Sequence, residues 1–211
     1  MKDIRARLSL PQNSDILKTE SGKVNPILLP LKKFHGIIWP YTPTINVSHQ
    51  AEYGEYDITH SNYPTQYFSK SRPPNLQVSG PLTAQTAAEG HYMIACLHFL
   101  RIVTKMHFGM NDEKRGTPPP VLKFSAYGDL MFSNIPVLVR SFAYDLGQDI
   151  DYIDIETDSA QAGFSNGFSS KVPTMLNLVI DLVVQQTPSK LRTTFTMNDF
   201  KSGKLVKDGF I

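Results

Sequence analysis

Residues 163–167 match the G-x-S-x-G pattern in which serine hydrolases hold their nucleophile. In those enzymes the serine lies on a turn between a strand and a helix, and an acid and a histidine follow it in the chain. Here residues 169–173 predict no helix, and His107, the last histidine, precedes Ser165. A small hydrolase that uses Ser165 stays an alternative, and it would lose its activity in the variant Ser165→Ala.

The other residues that could do chemistry lack the spacing of a known site. His91 and His98 lie on one polar stripe of a predicted helix, which is more typical of solvated or interface positions than of metal ligands. The acidic residues within 145–158 lack the spacing and the central glycine of a calcium-binding loop. The sequence therefore predicts a protein that is not an enzyme and has no cofactor and no metal site.

One helix, over about residues 86–108, is predicted to brace the fold. Thr86 and Glu89 have the spacing of a capping box, and Gly109 is placed to end the helix. Apolar side chains cover more than half of the helix circumference, so we expect it to be enclosed from two sides. The candidate core residues of this bracing helix are Met93, Leu97, Leu100 and Val103.

The rest of the chain predicts strands and loops. Residues 44–53 alternate most cleanly between polar and apolar side chains, which is typical of a half-buried antiparallel strand. Pro73 and Pro74 predict a break in the chain. Further strands are predicted at residues 63–69, 76–80, 121–127, 135–146, 174–186 and 191–197. The expected fold is mainly β (α+β), an antiparallel sandwich or barrel with one bracing α-helix.

Two regions are expected along the 211 residues. Prolines interrupt the short apolar pieces of residues 1–33, so this segment is predicted to be an extended N-terminal arm, with partial disorder as the alternative. Residues 34–211 are predicted to form one β domain, because the chain is long enough and apolar enough to bury a substantial core.

The charge of the chain is small in total but uneven along the sequence. A net charge of +2 favours neither a nucleic-acid-binding protein nor a membrane-surface protein. Residues 34–69 and 141–170 contain no Lys or Arg, whereas both termini are basic, which suggests contact surfaces of opposite sign. Cys96, the only cysteine, is predicted to be a buried and inert thiol. No signal peptide and no membrane insertion are expected.

In the order of its motifs, the chain resembles the baseplate proteins of contractile-tailed bacteriophages that initiate or cap the tail tube. The residues that carry this resemblance, from residue 34 to residue 184 and at the extreme C-terminus, are WPYTPTI (39–45), QYF (66–68), LQVSG (76–80), TKMHFG (104–109), GTPPPVL (116–122), AYG (126–128), NIPV (134–137) and DGFI (208–211).

The resemblance implies a tail-tube type of fold and a hexameric ring whose strands join into an inner barrel. Such a structural virion protein lies at the junction of baseplate and tail tube, and DNA passes through its lumen without specific binding. Its implied partners are the tail tube protein, the baseplate hub and adjacent ring proteins, and it is assembled in the host cytoplasm. A monomeric β-sandwich that binds host glycan or cell wall is the alternative, and it would gather exposed aromatic side chains in one concave site.

A channel through which DNA passes should bind DNA only weakly, and each basic side chain paired with a phosphate adds affinity for DNA. A neutral or acidic strand face would meet this requirement. We therefore expect Ile45, Val47 and Ala51 to pack toward the helix, while the opposite side of the strand faces the channel. The alternative is that this side faces outside solvent. The candidate lumen-lining residues are Thr44, Asn46, Ser48, Gln50 and Glu52.

Overall fold

An antiparallel sheet of seven strands forms the body of the protein. The structure, a computed structural model, describes residues 3–12, 14–18, 22–157 and 168–211. The strands are β1 (Arg7–Ser9), β2 (Gly36–Ile38), β3 (Thr44–Tyr56), β4 (Thr65–Thr83), β5 (Leu122–Ala126), β6 (Phe132–Asp145), β7 (Tyr152–Thr157), β8 (Phe168–Pro173) and β9 (Met175–Val184). The order in the large sheet is β2-β1-β5-β6-β9-β4-β3, and β7 and β8 form a second, small sheet.

Helix α1 (Ala87–Val103) begins as the sequence predicts but ends earlier. The Thr86 hydroxyl accepts from the backbone N–H of Glu89 at 3.4 Å, and the Glu89 carboxylate accepts from the N–H of Thr86 at 3.3 Å, so the capping box is confirmed. The predicted end near residue 108 is wrong. The Thr104 hydroxyl donates to the carbonyl of Leu100 at 3.0 Å, and Gly109 lies in the following loop.

Helix α1 is enclosed from two sides, as its broad apolar surface predicts. It contacts the large sheet through β2, β4 and β6, and the small sheet through β7 and β8. At Gly90 the small sheet comes so close that an added Cβ would lie 2.8 Å from the Ile155 side chain. Of the four candidate core residues, Met93, Leu100 and Val103 are buried, and Leu97 is half-buried against the same core.

The N-terminal segment is part of the same core. Strand β1 lies between β2 and β5 and pairs with both, so its backbone groups are satisfied inside the sheet. Leu8, Leu28 and Leu31 are fully buried in the core that also contains α1. The segment predicted as an extended arm therefore differs from that expectation: two of its three prolines, Pro26 and Pro30, lie in a 3-10 helix, Pro26–Phe34, that packs on α1.

Strand β4 runs without interruption through Pro73 and Pro74, so the predicted break is wrong. The register changes there, because Ser48 pairs with Asn75 while Gln50 pairs with Arg72. The extra residue on β4 forms a bulge, a position where proline does not interrupt the hydrogen-bond ladder.

The C-terminal segment is helical, and the strand predicted over residues 191–197 is wrong. Two short helices, Pro188–Thr193 and Met197–Lys201, are followed by a 3-10 helix, Lys204–Asp208. Thr187 and Thr196 cap the two helices through their hydroxyls, and capping residues favour helix starts over strand continuation. Aromatic contacts hold this segment together, since the Phe195 ring lies 5.9 Å from Phe200 and 5.7 Å from Phe210 between centroids.

The fold is mainly β with antiparallel sheets, and the large sheet is not closed into a barrel. One of its edges is satisfied internally: the Ile38 N–H donates to the Tyr92 hydroxyl at 2.8 Å, and that hydroxyl donates to the Ile38 carbonyl at 2.7 Å. The other edge, along β3, has no further strand beside it in the described part of the chain. The sheet therefore has one protected edge and one open edge.

The unequal burial of two leucines on α1 gives a test of this packing. We expect Leu100→Ala to lower the free energy of unfolding by about 2–5 kcal/mol, because Leu100 is fully buried and a cavity remains. The matched variant Leu97→Ala should cost less, and Thr86→Ala about 1 kcal/mol through loss of the cap. Denaturant melts would measure all three, and equal small effects would contradict the enclosed-helix architecture.

Candidate functional site

In the part of the chain that the structure describes, the side chains that could do chemistry do not form one cluster. Among the described residues, no group of three His, Cys, Asp or Glu side chains could hold a metal ion. His91 and His98 are half-buried on α1, and burial lowers the pKa of His98. Ser165 and the rest of its motif lie outside the described residues. The candidate site is therefore a surface, and the most unusual surface is a hairpin.

The hairpin of β3 and β4 is longer than the sheet that supports it. Strand β9 pairs with β4 only from Asn75 to Thr83, so residues 65–74 of β4 pair with β3 alone. These ten residues extend about 30 Å beyond the core at the usual rise of a strand. We call residues 47–74 the ribbon.

One face of the ribbon continues the apolar face of the large sheet. Ile45 pairs with buried Val78, and Val47 pairs with buried Leu76. Residues in directly opposed positions share a face, and alternation along β3 then places Ala51 and Tyr53 on the same side. We call this side the core-side face of the ribbon.

The core-side face carries apolar side chains that are not buried, beside the exposed His49 and Ser71. Tyr53 is 61% exposed and Phe68 is 58% exposed, and their rings pack edge to face with centroids 5.9 Å apart. Ile45 packs against the core, as predicted, but Val47 and Ala51 are exposed. The prediction that both pack toward the helix is wrong for the single chain, because the ribbon extends past the end of the core.

The opposite side of β3 is polar and lies on the face of the large sheet away from α1. Thr44, Asn46 and Ser48 pair with Ser79, Gln77 and Asn75, and all but half-buried Ser79 are exposed. Three candidate lumen-lining residues therefore share one solvent-facing surface, which we call the polar face.

Asp181 lies at the centre of the polar face and is bound from both neighbouring strands. Its carboxylate accepts from the Gln77 amide at 3.1 Å and from the Ser141 hydroxyl at 2.8 Å, and Arg140 lies 3.9 Å away. This network offsets part of the negative charge and fixes the side chain.

Gln50 and Glu52 extend the same side onto the ribbon, but basic partners accompany them. Lys70 lies 3.2 Å from the Glu52 carboxylate, and Arg72 bonds to the same group. The hydrogen bond from Arg72, with that from Lys70, lowers the pKa of Glu52. The absence of basic residues from 34–69 therefore does not make this face acidic, because strand pairing brings Lys70 and Arg72 beside it.

The ribbon is also held by an aromatic ring on its second side. The Tyr67 ring lies across Gly54, where an added Cβ would meet it at 2.5 Å. The alternating sequence predicts strand β3, but it did not lead to a prediction that Tyr53, Tyr67 and Phe68 are exposed. The alternation of residues 45–53 could have predicted this exposure, because the apolar side of the strand is longer than one helix can bury.

A cleft of about 270 Å³ lies beside the start of α1, between Tyr41, Thr83, Glu89 and Met93. It is at the small end for a ligand site. The Tyr41 hydroxyl is bonded to Thr83 at 3.3 Å, and Glu89 serves the capping box. The aromatic side chains of the ribbon do not line this cleft. The aromatic residues that line it are Tyr41 and Tyr92.

No protein-family model and no curated protein matches this chain. None of the described helices combines the length and the apolar character needed to cross a membrane.

Cys96 provides a test of the interior chemistry. The side chain is fully buried, and burial raises the pKa of its thiol to about 12. Because the thiolate is the reactive form, we expect a thiol reagent such as dithionitrobenzoate to leave native Cys96 unmodified at pH 8 and to react with it at once after unfolding. Fast modification of the native protein would contradict the buried position.

Proposed function

We propose that this chain is a structural virion protein that forms a hexameric ring at the junction of baseplate and tail tube in a contractile phage tail. In this proposal the ring initiates or extends the tube through which DNA passes. The ordered motifs from residue 39 to residue 211 support the proposal, as does a mainly β fold of the kind that a tail-tube protein would have.

The ribbon is the observation that carries the proposal. A two-stranded ribbon has little stability of its own in water, since it has no third strand and no core. Its core-side face nevertheless carries Val47, Tyr53 and Phe68, which are exposed in the single chain. A neighbouring copy that packs on this face would remove that apolar surface from water, and aromatic side chains bury about 150–250 Å² each.

The unequal edges of the large sheet favour a head-to-tail arrangement of copies. Tyr92 closes the β2 edge, which leaves the β3 edge as the open one in the part of the sheet that the structure describes. The implied ring, in which the strands of neighbouring copies join into an inner barrel, therefore needs revision: the β3 edge and the ribbon must meet a different surface of the next copy. Contacts between different surfaces produce closed rings when the rotation between copies closes.

The polar face suits the wall of a DNA channel. It presents small polar side chains around Asp181, and the nearest cation, Arg140, is engaged by that carboxylate. A surface with few free cations releases few counterions from DNA and so binds it weakly. In the proposed ring, Thr44, Asn46 and Ser48 face the channel, while the ribbon carries Gln50 and Glu52 beyond the sheet.

The proposed partners are further copies of this chain, the tail tube protein, the baseplate hub and adjacent ring proteins. The proposed location is the virion, after assembly in the host cytoplasm.

Replacing the aromatic pair of the core-side face tests this proposal. We expect the double variant Tyr53→Ser/Phe68→Ser to lose ring assembly and to keep the unfolding midpoint of the dilute, unassembled wild type, because both side chains are exposed in the single chain. The matched control is Tyr63→Ser, which removes an even more exposed tyrosine from the hairpin loop and should leave assembly intact.

Multi-angle light scattering and negative-stain images of each variant, with and without the tube and hub proteins, would give the result. A wild-type protein that stays monomeric beside those partners would overturn the proposal and favour the glycan-binding module. Rings that form equally well without Tyr53 and Phe68 would show that the ribbon is not the contact.

A further inference from the structure

The two ends of the central strands β6 and β9 carry opposite charge. At one end, residues 145–156 contain five carboxylates and no Lys or Arg. All five are exposed, and Asp154 alone has a basic partner among the described ion pairs, Lys171 at 3.6 Å. We call this segment the acidic end.

A helical unit covers the other end of the same strands. Residues 187–211, which we call the C-terminal cap, contain five basic and two acidic side chains. The Gln186 amide donates to the Gly209 carbonyl at 2.6 Å, and the cap packs beside Pro136 at the start of β6. Arg192, Lys201 and Lys207 are exposed and make no ion pair among the described residues.

Both surfaces also expose apolar side chains among their charges. On the cap, Met197 is 59% exposed and Phe195 is 41% exposed. At the acidic end, Leu146 is 58% exposed and Tyr152 is 41% exposed. An apolar centre with charges around it is the usual composition of a protein–protein contact.

The two surfaces cannot meet within one copy. Strand β9, from Met175 to Val184, separates them by about 30 Å at the usual rise of a strand. Charges at that distance are screened at physiological ionic strength, where the Debye length is about 8 Å. The cap of one copy therefore cannot neutralise the acidic end of the same copy, whereas the cap of a second copy can.

We propose that the C-terminal cap of one copy docks on the acidic end of a second copy. The occupant of each surface is thus another copy of this chain, chosen by complementary charge and matching apolar content. The contact runs along the central strands and does not use the core-side face of the ribbon, which lies on the other side of the sheet from Pro136. If the proposed ring forms, this contact joins one ring to the next.

A charge exchange between the two surfaces tests the contact. The cap variant is Lys201→Glu/Lys207→Glu, and the acidic-end variant is Asp149→Lys/Asp151→Lys. Each variant alone should self-associate more weakly by on the order of a hundredfold, because like charges then face each other. An equimolar mixture of the two should associate again, since each altered surface meets its complement. Sedimentation velocity at about 50 mM and about 500 mM NaCl would measure the association and its expected loss at high salt.

Lys32→Glu/Lys33→Glu is the matched control, with the same change of charge on two exposed residues of the 3-10 helix Pro26–Phe34, which packs on α1 and β2. It should associate like the wild type. Failure of the mixture to associate, or equal weakening by the control, would overturn the inference. The Tyr53→Ser/Phe68→Ser variant separates the two proposals, because it should lose the rings but keep the salt-sensitive association. If the charge-exchange variants form rings as the wild type does and show no change in association, the ring proposal stands and the contact between cap and acidic end is rejected.

Discussion

The enclosure of α1 is the constraint on which the rest of the structure depends. Apolar side chains surround so much of this helix that one sheet cannot cover it, and the chain supplies the large sheet, the small β7–β8 sheet and a 3-10 helix around it. Once the helix is on one face of the large sheet, the other face must meet solvent or a partner. Small polar side chains and the bound Asp181 carboxylate occupy that face.

The helix also sets where the core ends. Strand β4 leaves the support of β9 at Asn75, and the hairpin continues without a layer beneath it. Its core-side face keeps the apolar pattern of the sheet, so the amphipathic pattern is longer than the core of one chain. The β2 edge is closed by the Tyr92 hydroxyl, whereas the β3 edge is open. Both features place exposed apolar surface and an open sheet edge on the hairpin, and the proposed assembly would cover both.

Local signals in the sequence were sufficient for the helix start, the first long strand and the mainly β class. The Thr86–Glu89 capping box and the alternation at residues 44–53 act over a few residues, so they can be recognised without the fold. The predictions that are wrong for Pro73, Pro74 and the N-terminal segment concern residues whose structure depends on contacts with distant parts of the chain. Pro73 and Pro74 fit a strand only because β4 bulges at this point against β3, and Leu8 is buried only because β1 enters between β2 and β5.

For the candidate lumen face too, the sequence predicts what neighbouring residues decide and misses what a distant strand contributes. The polar side of β3 was predictable from its alternation, but the cations beside Glu52 were not, because Lys70 and Arg72 come from the partner strand. The C-terminal helices had a local signal in Thr187-Pro188 and Thr196, and the strand prediction at 191–197 gave it too little weight.

Amide hydrogen exchange on the hairpin, measured in dilute protein and in the assembled state, tests the central claim most directly. If the β3 edge and the core-side face are the contact, amides of β3 that point away from β4 should exchange more slowly after assembly, together with the segments around Tyr53 and Phe68. Amides of β9 in the centre of the sheet should not change. Unaltered exchange along the whole hairpin, under conditions where the mass shows assembly, would contradict the account.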